Sequence, residues 1–329
     1  MKTTILFDPS QATSNVGDFI INEAVMNHMQ FVFKDSFLLR YPTHTPLLHV
    51  HQTLRKTVIS ENCKKSDLKF LGGTNIFKKN LMILTPDWNI NIFTMKLYKG
   101  VISLGCGVAV NKNKTNVYTR YIYKNTLSKK YVHSTRDEKT KKFLEDLGFS
   151  AINTGCPTTW SLTEKHCATI PSAKSNRVIF TLTDYDQDKL RDQKLIDILV
   201  ENYKEVLFWV QGSGDLEYYN SFQNTTGITV VSPSLEAYRS ALTSGAIDYI
   251  GTRLHAGIFA MQHSVRSIIL IVDNRARDMH NTYNINALER GDIDLLEAKI
   301  NSDFVTRVKI NEKKINLWKS QFREEKSKQ

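Results

Sequence analysis

The sequence predicts an α/β protein made of two doubly wound lobes facing a cleft. Three observations carry this expectation. The chain has 329 residues, enough for two domains that each bury a core. Short apolar runs rich in β-branched residues alternate with stretches of helical spacing. Several of those runs end directly in glycine, which marks the carboxyl ends of parallel strands, where open α/β sheets bind ligands.

Taken in order, Thr4-Ile5-Leu6-Phe7 reads as the first strand and Asp18 to Met29 as the helix that follows. Leu68-Lys69-Phe70-Leu71 and Gly100-Val101-Ile102-Ser103-Leu104 read as strands running into Gly72-Gly73 and Gly105-Cys106-Gly107. Tyr131 to Ser134 is a further strand and Asp137 to Leu147 its helix, closed by Gly148 as a C-cap. From Ser161 to Ser175 the pattern lapses into a Thr, Lys, Ser and Pro-bearing stretch, the best linker candidate. The expected domains are residues 1–165 and 172–304.

The second lobe restarts with Arg177 to Leu182 as a strand, about Gln187 to Asn202 as a helix, and Val206 to Val210 as a strand ending in Gln211-Gly212-Ser213-Gly214. Ile228 to Val231, Ala246 to Gly251 and Ser267 to Val272 are strands, with helices from Ser234 to Ser244 and from about His255 to His263 between them. Short connections between alternating elements imply a second parallel sheet. Residues 305–329 read as a basic amphipathic helix, because Val308, Ile315, Trp318 and Phe322 form one apolar stripe among lysines. Such a stripe suits docking onto the body of the protein, or lying on an anionic membrane.

Composition excludes several classes. Hydrophobic residues are 41% and charged residues 23% of the chain, as in ordinary globular proteins and unlike disordered or fibrous ones. The longest apolar runs, such as Ile268 to Val272, are far short of the roughly 20 residues of a membrane span. Only three apolar residues precede Asp8-Pro9, too few for a signal-peptide core, so the expected location is the cytoplasm. Cys63, Cys106, Cys156 and Cys167 form no CxxC pair and the histidines no HExxH, so no metal site is expected. The net charge of +11 is uneven: residues 1–165 hold 23 Lys and Arg against 12 Asp and Glu, whereas 166–329 hold 21 of each. Within the latter, 307–328 is again basic, with 8 against 3.

The strand-end turns carry the chemistry. Asn15-Val16-Gly17-Asp18 follows the first strand and opens a helix, where Asn15 or Asp18 can cap the helix or accept a sugar hydroxyl. Gly72-Gly73-Thr74-Asn75 and Gly105-Cys106-Gly107 let a ligand approach the backbone, yet neither matches GxGxxG or a phosphate-binding loop. Ser134-Thr135-Arg136-Asp137 puts a guanidinium fork at a strand-to-helix junction, suited to a carboxylate or phosphate, or to an ion pair with Asp137. Gly155-Cys156-Pro157 reads as a rigid structural turn. Gly251-Thr252-Arg253-Leu254-His255 is the most informative stretch. It sets a permanent cation and a titratable imidazole two residues apart at one strand end, as needed to grip an anion while a proton moves.

In this order the six motifs resemble the polysaccharide pyruvyl transferase family, over about residue 5 to Asp273. The resemblance implies two Rossmann-like lobes in a GT-B-like arrangement, and phosphoenolpyruvate as co-substrate without metal or other cofactor. The product would be a pyruvate ketal across two hydroxyls of a sugar in a bacterial cell-surface polysaccharide, such as a capsule or exopolysaccharide, or in its lipid-linked precursor. It implies a donor site formed by Gly251, Arg253 and His255 with Arg136, in which His255 moves the proton, Arg253 takes the carboxylate and Arg136 the phosphate. Asn15, Gly17, Asp18, Gly72, Gly73, Thr74, Asn75, Gly105 and Gly107 fall to the acceptor side or cleft. Where this chain has Gly72-Gly73-Thr74, many relatives carry three glycines.

Two other classes compete. A glycosyltransferase using a nucleotide sugar would need a ribose-gripping carboxylate, for which Asp273 and Glu236 are available. A non-enzymatic anion or nucleic-acid binder would use Tyr118, Tyr121, Tyr123 and Tyr131 interleaved with Arg120, Lys124, Lys129 and Lys130, but no recognisable nucleic-acid motif accompanies them. The basic surplus fits better with a lipid-diphosphate-linked acceptor and peripheral contact with the inner face of an anionic membrane.

Overall fold

The computed structural model describes residues 1–53, 55–82, 87–109 and 114–323. Ile5, Leu6 and Phe7 are buried on both faces of one strand, the signature of a central strand in a parallel sheet covered by helices. That strand, β1 (Lys2–Asp8), pairs with β2 (Ser36–Pro42) and β3 (Leu68–Gly72), and β3 pairs with β4 (Ile102–Leu104), all parallel, in the order β2-β1-β3-β4. A parallel pair, β5 (His133–Thr135) and β6 (Ala151–Asn153), joins the end of β4 through a Cys106–Thr135 bridge and a 2.8 Å bond from Ser103 Oγ to the Ser134 carbonyl.

The second sheet comprises β7 (Arg177–Thr181), β8 (Glu205–Trp209), β9 (Thr229–Val231), β10 (Asp248–Gly251), β11 (Arg266–Ile271) and β12 (Ala287–Glu289), in the order β12-β11-β10-β7-β8-β9. Every pairing is parallel. From β7 the chain builds outward through β8 and β9, then returns to build the other side from β10. The topological switch point, where doubly wound sheets bind ligands, therefore lies at the carboxyl ends of β7 and β10.

The chain divides into two compact units, one of Met1–Thr13, Ile21–Trp160 and the chain from Asn311, the other of Ser14–Ile20 and Ser161–Ile310. Residues 14–18, expected with the first lobe, cluster with the second because Val16 N–H donates to the Gln211 carbonyl at 2.9 Å and Ser213 N–H to that of Ser14 at 3.1 Å. The linker candidate is structured: Thr163 caps a helix at Glu164–Cys167, and Cys167 and Ile170 are buried. At the chain end, the helix is only Glu312–Ser320, and 324–329 lie outside the described residues. Val308 precedes this helix in non-helical chain, so it does not share the helix stripe. Ile315 and Trp318 pack with Phe70 and Trp160 in a core of the first unit, with Trp318 Nε1 donating to the Val132 carbonyl at 2.7 Å. The apolar face is thus occupied by protein. The proposed aromatic surface also dissolves: in the helix Val117–Thr126, Tyr123 is fully buried against Phe77 and Trp88, leaving Tyr121 as the exposed ring.

Candidate active site

Arg253 stands at the switch point of the second unit, as the residue before the helix Leu254–Gln262. Gly251 is there for packing: a Cβ would come within 2.6 Å of Thr181 N, so glycine lets β10 close against the end of β7. Arg253 N–H donates to Thr181 Oγ1 at 3.2 Å and its carbonyl accepts from Tyr249 Oη at 2.8 Å, which fixes the backbone. The side chain is equally fixed. Nε donates to the Leu182 carbonyl at 2.9 Å, and Nη2 donates to Asp184 Oδ1 at 2.8 Å and to Asp215 Oδ1. Among the described residues, Nη1 makes no hydrogen bond. The guanidinium lies 5.0 Å from the centroid of the Tyr185 ring.

Asp215 is the hub of these loops. It is fully buried and also accepts N–H bonds from Gln211 at 3.2 Å, Gly212 at 2.7 Å and Asp184 at 3.3 Å. Burial raises the pKa of its carboxyl, against the pull of Arg253. A carboxylate bonded to two loops and a guanidinium holds the carboxyl ends of β7, β8 and β10 in one geometry.

His255 is the second residue of the helix after Arg253 and is partly exposed. Asn15, Tyr185, Gln211, Arg253, His255 and Arg275 line one small polar depression. Gln211 Nε2 donates to Asn15 Oδ1 at 2.8 Å, and the same oxygen accepts from Gly17 N–H at 3.0 Å. Gln211 is 4% exposed, and its Oε1 has no hydrogen-bond partner. Gly17 and Asp18 open the helix Gly17–His28 beside this amide pair. Asp273, offered for a ribose, lines the same depression, where it caps the helix Asn274–Tyr283 and holds Arg275 through Nε at 2.8 Å. Burial raises its pKa, but Arg275 and the helix N–H groups outweigh that and leave it lowered. Glu236 is exposed in the first turn of the helix Leu235–Thr243.

The remaining sequence-identified residues cluster in the first unit, at the carboxyl ends of β3, β4 and β5. Arg136 Nη2 donates to Asn75 Oδ1 at 2.5 Å, and Arg136 N–H to the Cys106 carbonyl at 2.9 Å. Gly107 N–H donates to the Thr74 carbonyl at 2.7 Å, and a Cβ on Gly107 would meet Arg136 Nη2 at 2.6 Å. Gly73 and Gly105 touch through their backbones, with Gly105 at φ +65°. The fit follows from close approach: these glycines interlock three turns, with Gly72 ending β3 beside them. Gly155, at φ +80°, and Pro157, against which Gly105 packs, form the structural turn expected of them.

Tyr185, Asp184, Gln211, Asp215 and Arg275 escaped the sequence reading, although each follows a strand end. A larger cavity of about 780 Å³, against Phe31, Phe322 and Arg323, lies at the amino ends of β1 and β3, opposite the end that binds ligands in such sheets. Among the described residues no three His, Cys, Asp or Glu side chains could together hold a metal ion, and no helix is long and apolar enough to cross a membrane.

Comparison with known structures places the chain among GT-B-type folds. UDP-GlcNAc 2-epimerase of Methanocaldococcus jannaschii, solved with UDP-GlcNAc and UDP, is similar with a TM-score of 0.54 at 14% identity, over 94% of this chain and 95% of that one. Another UDP-N-acetylglucosamine 2-epimerase gives 0.46 at 10% identity, over 91% and 88%. The E. coli heptosyltransferase WaaC gives 0.36 at 11%, over 82% and 88%. No curated protein matches in sequence. The model of one family, polysaccharide pyruvyl transferase, matches residues 15–274, from the Asn15 turn past the Arg253 and His255 helix to the cap of the next. That span covers most of the chain, which therefore belongs to the polysaccharide pyruvyl transferase family.

Proposed function

We propose that this protein transfers the pyruvyl group of phosphoenolpyruvate to two hydroxyls of a saccharide, forming a cyclic ketal and releasing inorganic phosphate. The observation that best supports this reading is the pairing of Arg253 and His255 in one polar depression at a switch point. The chemistry needs both groups. A proton adds to the methylene carbon of the donor and leaves C2 cationic; one hydroxyl attacks C2, the bond from C2 to the phosphate oxygen breaks, and the second hydroxyl closes the ring. Of the two protons released by the hydroxyls, one replaces the proton taken up by carbon and the other leaves with phosphate. His255 is the proton-transfer group. Arg253, held by two aspartates, offers Nη1 to the donor carboxylate in fixed orientation.

The test is a mass-spectrometric screen of phosphoenolpyruvate with a panel of glycosides. A product heavier by one pyruvate ketal is expected, with turnover lowered roughly 10²–10⁴-fold in His255→Ala. Near wild-type turnover in His255→Ala and Arg253→Ala would remove the role assignments. Thermal shift separates the nucleotide-sugar reading: stabilisation by phosphoenolpyruvate, with UDP, GDP and CMP sugars inert, is expected.

The acceptor is read as part of a cell-surface polysaccharide or its lipid-diphosphate precursor. Peripheral contact with an anionic membrane would then fall to the basic surface of residues 1–165, because the apolar residues Ile315 and Trp318 of the last helix are buried. Salt-sensitive recovery with anionic but not neutral vesicles is the expected result, and equal recovery with both contradicts it.

A further inference from the structure

We infer that Arg275, braced by Tyr185, holds the phosphate of the donor in the second unit; this rests on the reading of Arg253 and His255 as the donor site. Arg275 lies one residue beyond the segment matched by the family model. It lines the same depression as Arg253 and His255. The two guanidiniums flank one ring, at 5.0 Å and 5.7 Å from the centroid of Tyr185. Tyr185 Oη accepts from Arg275 Nη2 at 2.5 Å, so the ring couples the two cations mechanically.

Their electrostatic situations differ. Arg253 is internal, with its side chain 4% exposed, and faces two carboxylates; Arg275 is 35% exposed and faces one. A cation countered twice attracts a second anion weakly, whereas Arg275 keeps more of its field for a ligand. Its Nη1 makes no hydrogen bond among the described residues. Arg275 gains nothing from the helix dipole, which a cation in the first turn opposes, while the same end favours phosphate. Asp273 Oδ1 already accepts from the N–H groups of Arg275 and Ala276, at 2.8 Å and 3.0 Å, so the side chain rather than these amides is what remains for the anion. A planar guanidinium fork suits phosphate oxygens.

The test is calorimetric titration of the full-length protein with phosphoenolpyruvate, inorganic phosphate and pyruvate, comparing wild type with Arg275→Gln, Arg275→Lys and Arg136→Gln. Arg275→Gln should weaken phosphoenolpyruvate and phosphate at least about tenfold, as expected for one charge-assisted pair, with pyruvate unchanged and Arg275→Lys intermediate. Arg275→Lys keeps a cation opposite Asp273 and so guards against loss of the helix. Wild-type affinity for phosphoenolpyruvate and phosphate in Arg275→Gln overturns the inference, as does loss of pyruvate binding with phosphate binding retained. If Arg136→Gln alone loses phosphate binding, the phosphate role belongs to Arg136. A wild-type protein that binds neither phosphoenolpyruvate nor phosphate overturns the donor reading beneath the inference as well.

Discussion

The two units differ in how deeply they bury their ion pairs. In the first a neutral network lies under the sheet ends: Ser103 N–H donates to His133 Nδ1 at 3.1 Å, Ser134 Oγ meets Thr154 Oγ1 at 2.6 Å, and the ring of Phe149 stands edge-on to His133. Its ion pairs keep one partner in reach of water, as in buried Asp8 with Arg40, whose side chain is 35% exposed. His133 Nε2, 2.9 Å from the Ser128 carbonyl, must carry the proton, and burial holds this imidazole down at about 4. In the second unit two ion pairs are buried on both sides. Arg266 pairs with Asp248 at 2.8 Å, with both side chains nearly inaccessible, and Arg253 pairs with Asp215. Buried charge costs desolvation that neutral groups avoid, so its place in the second unit calls for a reason. For Arg253 that reason is orientation: a permanent cation must point one way at the switch point. The lesson concerns charge itself. The surplus behind the net +11 lies in residues 1–165, but the cations ordered around the proposed donor site lie in the other unit.

Variants can break or sharpen this contrast. The largest effect is expected on activity, where His255→Ala should cost roughly 10²–10⁴-fold in turnover. Next, Asp215→Ala leaves Arg253 facing only Asp184, and the second unit should lose about 3–5 kcal/mol in denaturant unfolding, as when one partner of a buried pair is removed. A change under 1 kcal/mol, roughly the surface-pair level, would show that the hub is not needed.

The first unit should instead respond to pH. As pH falls below about 6.5 the unfolded chain takes up a proton on His133, while the folded state resists until near 4. Stability is complete above that range and declines between the two values, by about 3 kcal/mol from His133 alone. Flat unfolding midpoints from pH 7 to 4.5 would contradict this. Gly73→Ala drives a Cβ into the Gly105 carbonyl and should destabilise the first unit by about 1–3 kcal/mol. Smallest, Asn311→Ala removes the side-chain cap of the last helix, a bond from Lys314 N–H at 3.0 Å, and should cost about 1 kcal/mol in the first unit alone.

Most of the fold was legible because buried parallel strands are short, continuous and apolar. The elements that escaped are those whose burial is partial or brief. β2 is half-exposed along its length, β6 and β12 have three residues each, and the helix Asn274–Tyr283 buries only Ala276, Met279 and Tyr283 of a polar stretch. The last helix was overextended because Val308 fits its spacing, although the chain there is not helical. In the site, Arg253 and His255 could be found because one strand end presents both. Asn15 and Gln211 could not be paired, being 196 residues apart, and Asp215 and Arg275 stand alone after different strands until the sheet order brings them together.

The most direct measurement is turnover of phosphoenolpyruvate with the glycoside panel in deuterated water, followed by mass spectrometry and NMR of the product. Protonation of the methylene carbon requires a ketal whose methyl group carries a single deuterium, formed in step with inorganic phosphate and slowed roughly 10²–10⁴-fold in His255→Ala. Glycosyl transfer from a nucleotide sugar, with phosphoenolpyruvate untouched and no deuterated methyl group, would contradict it.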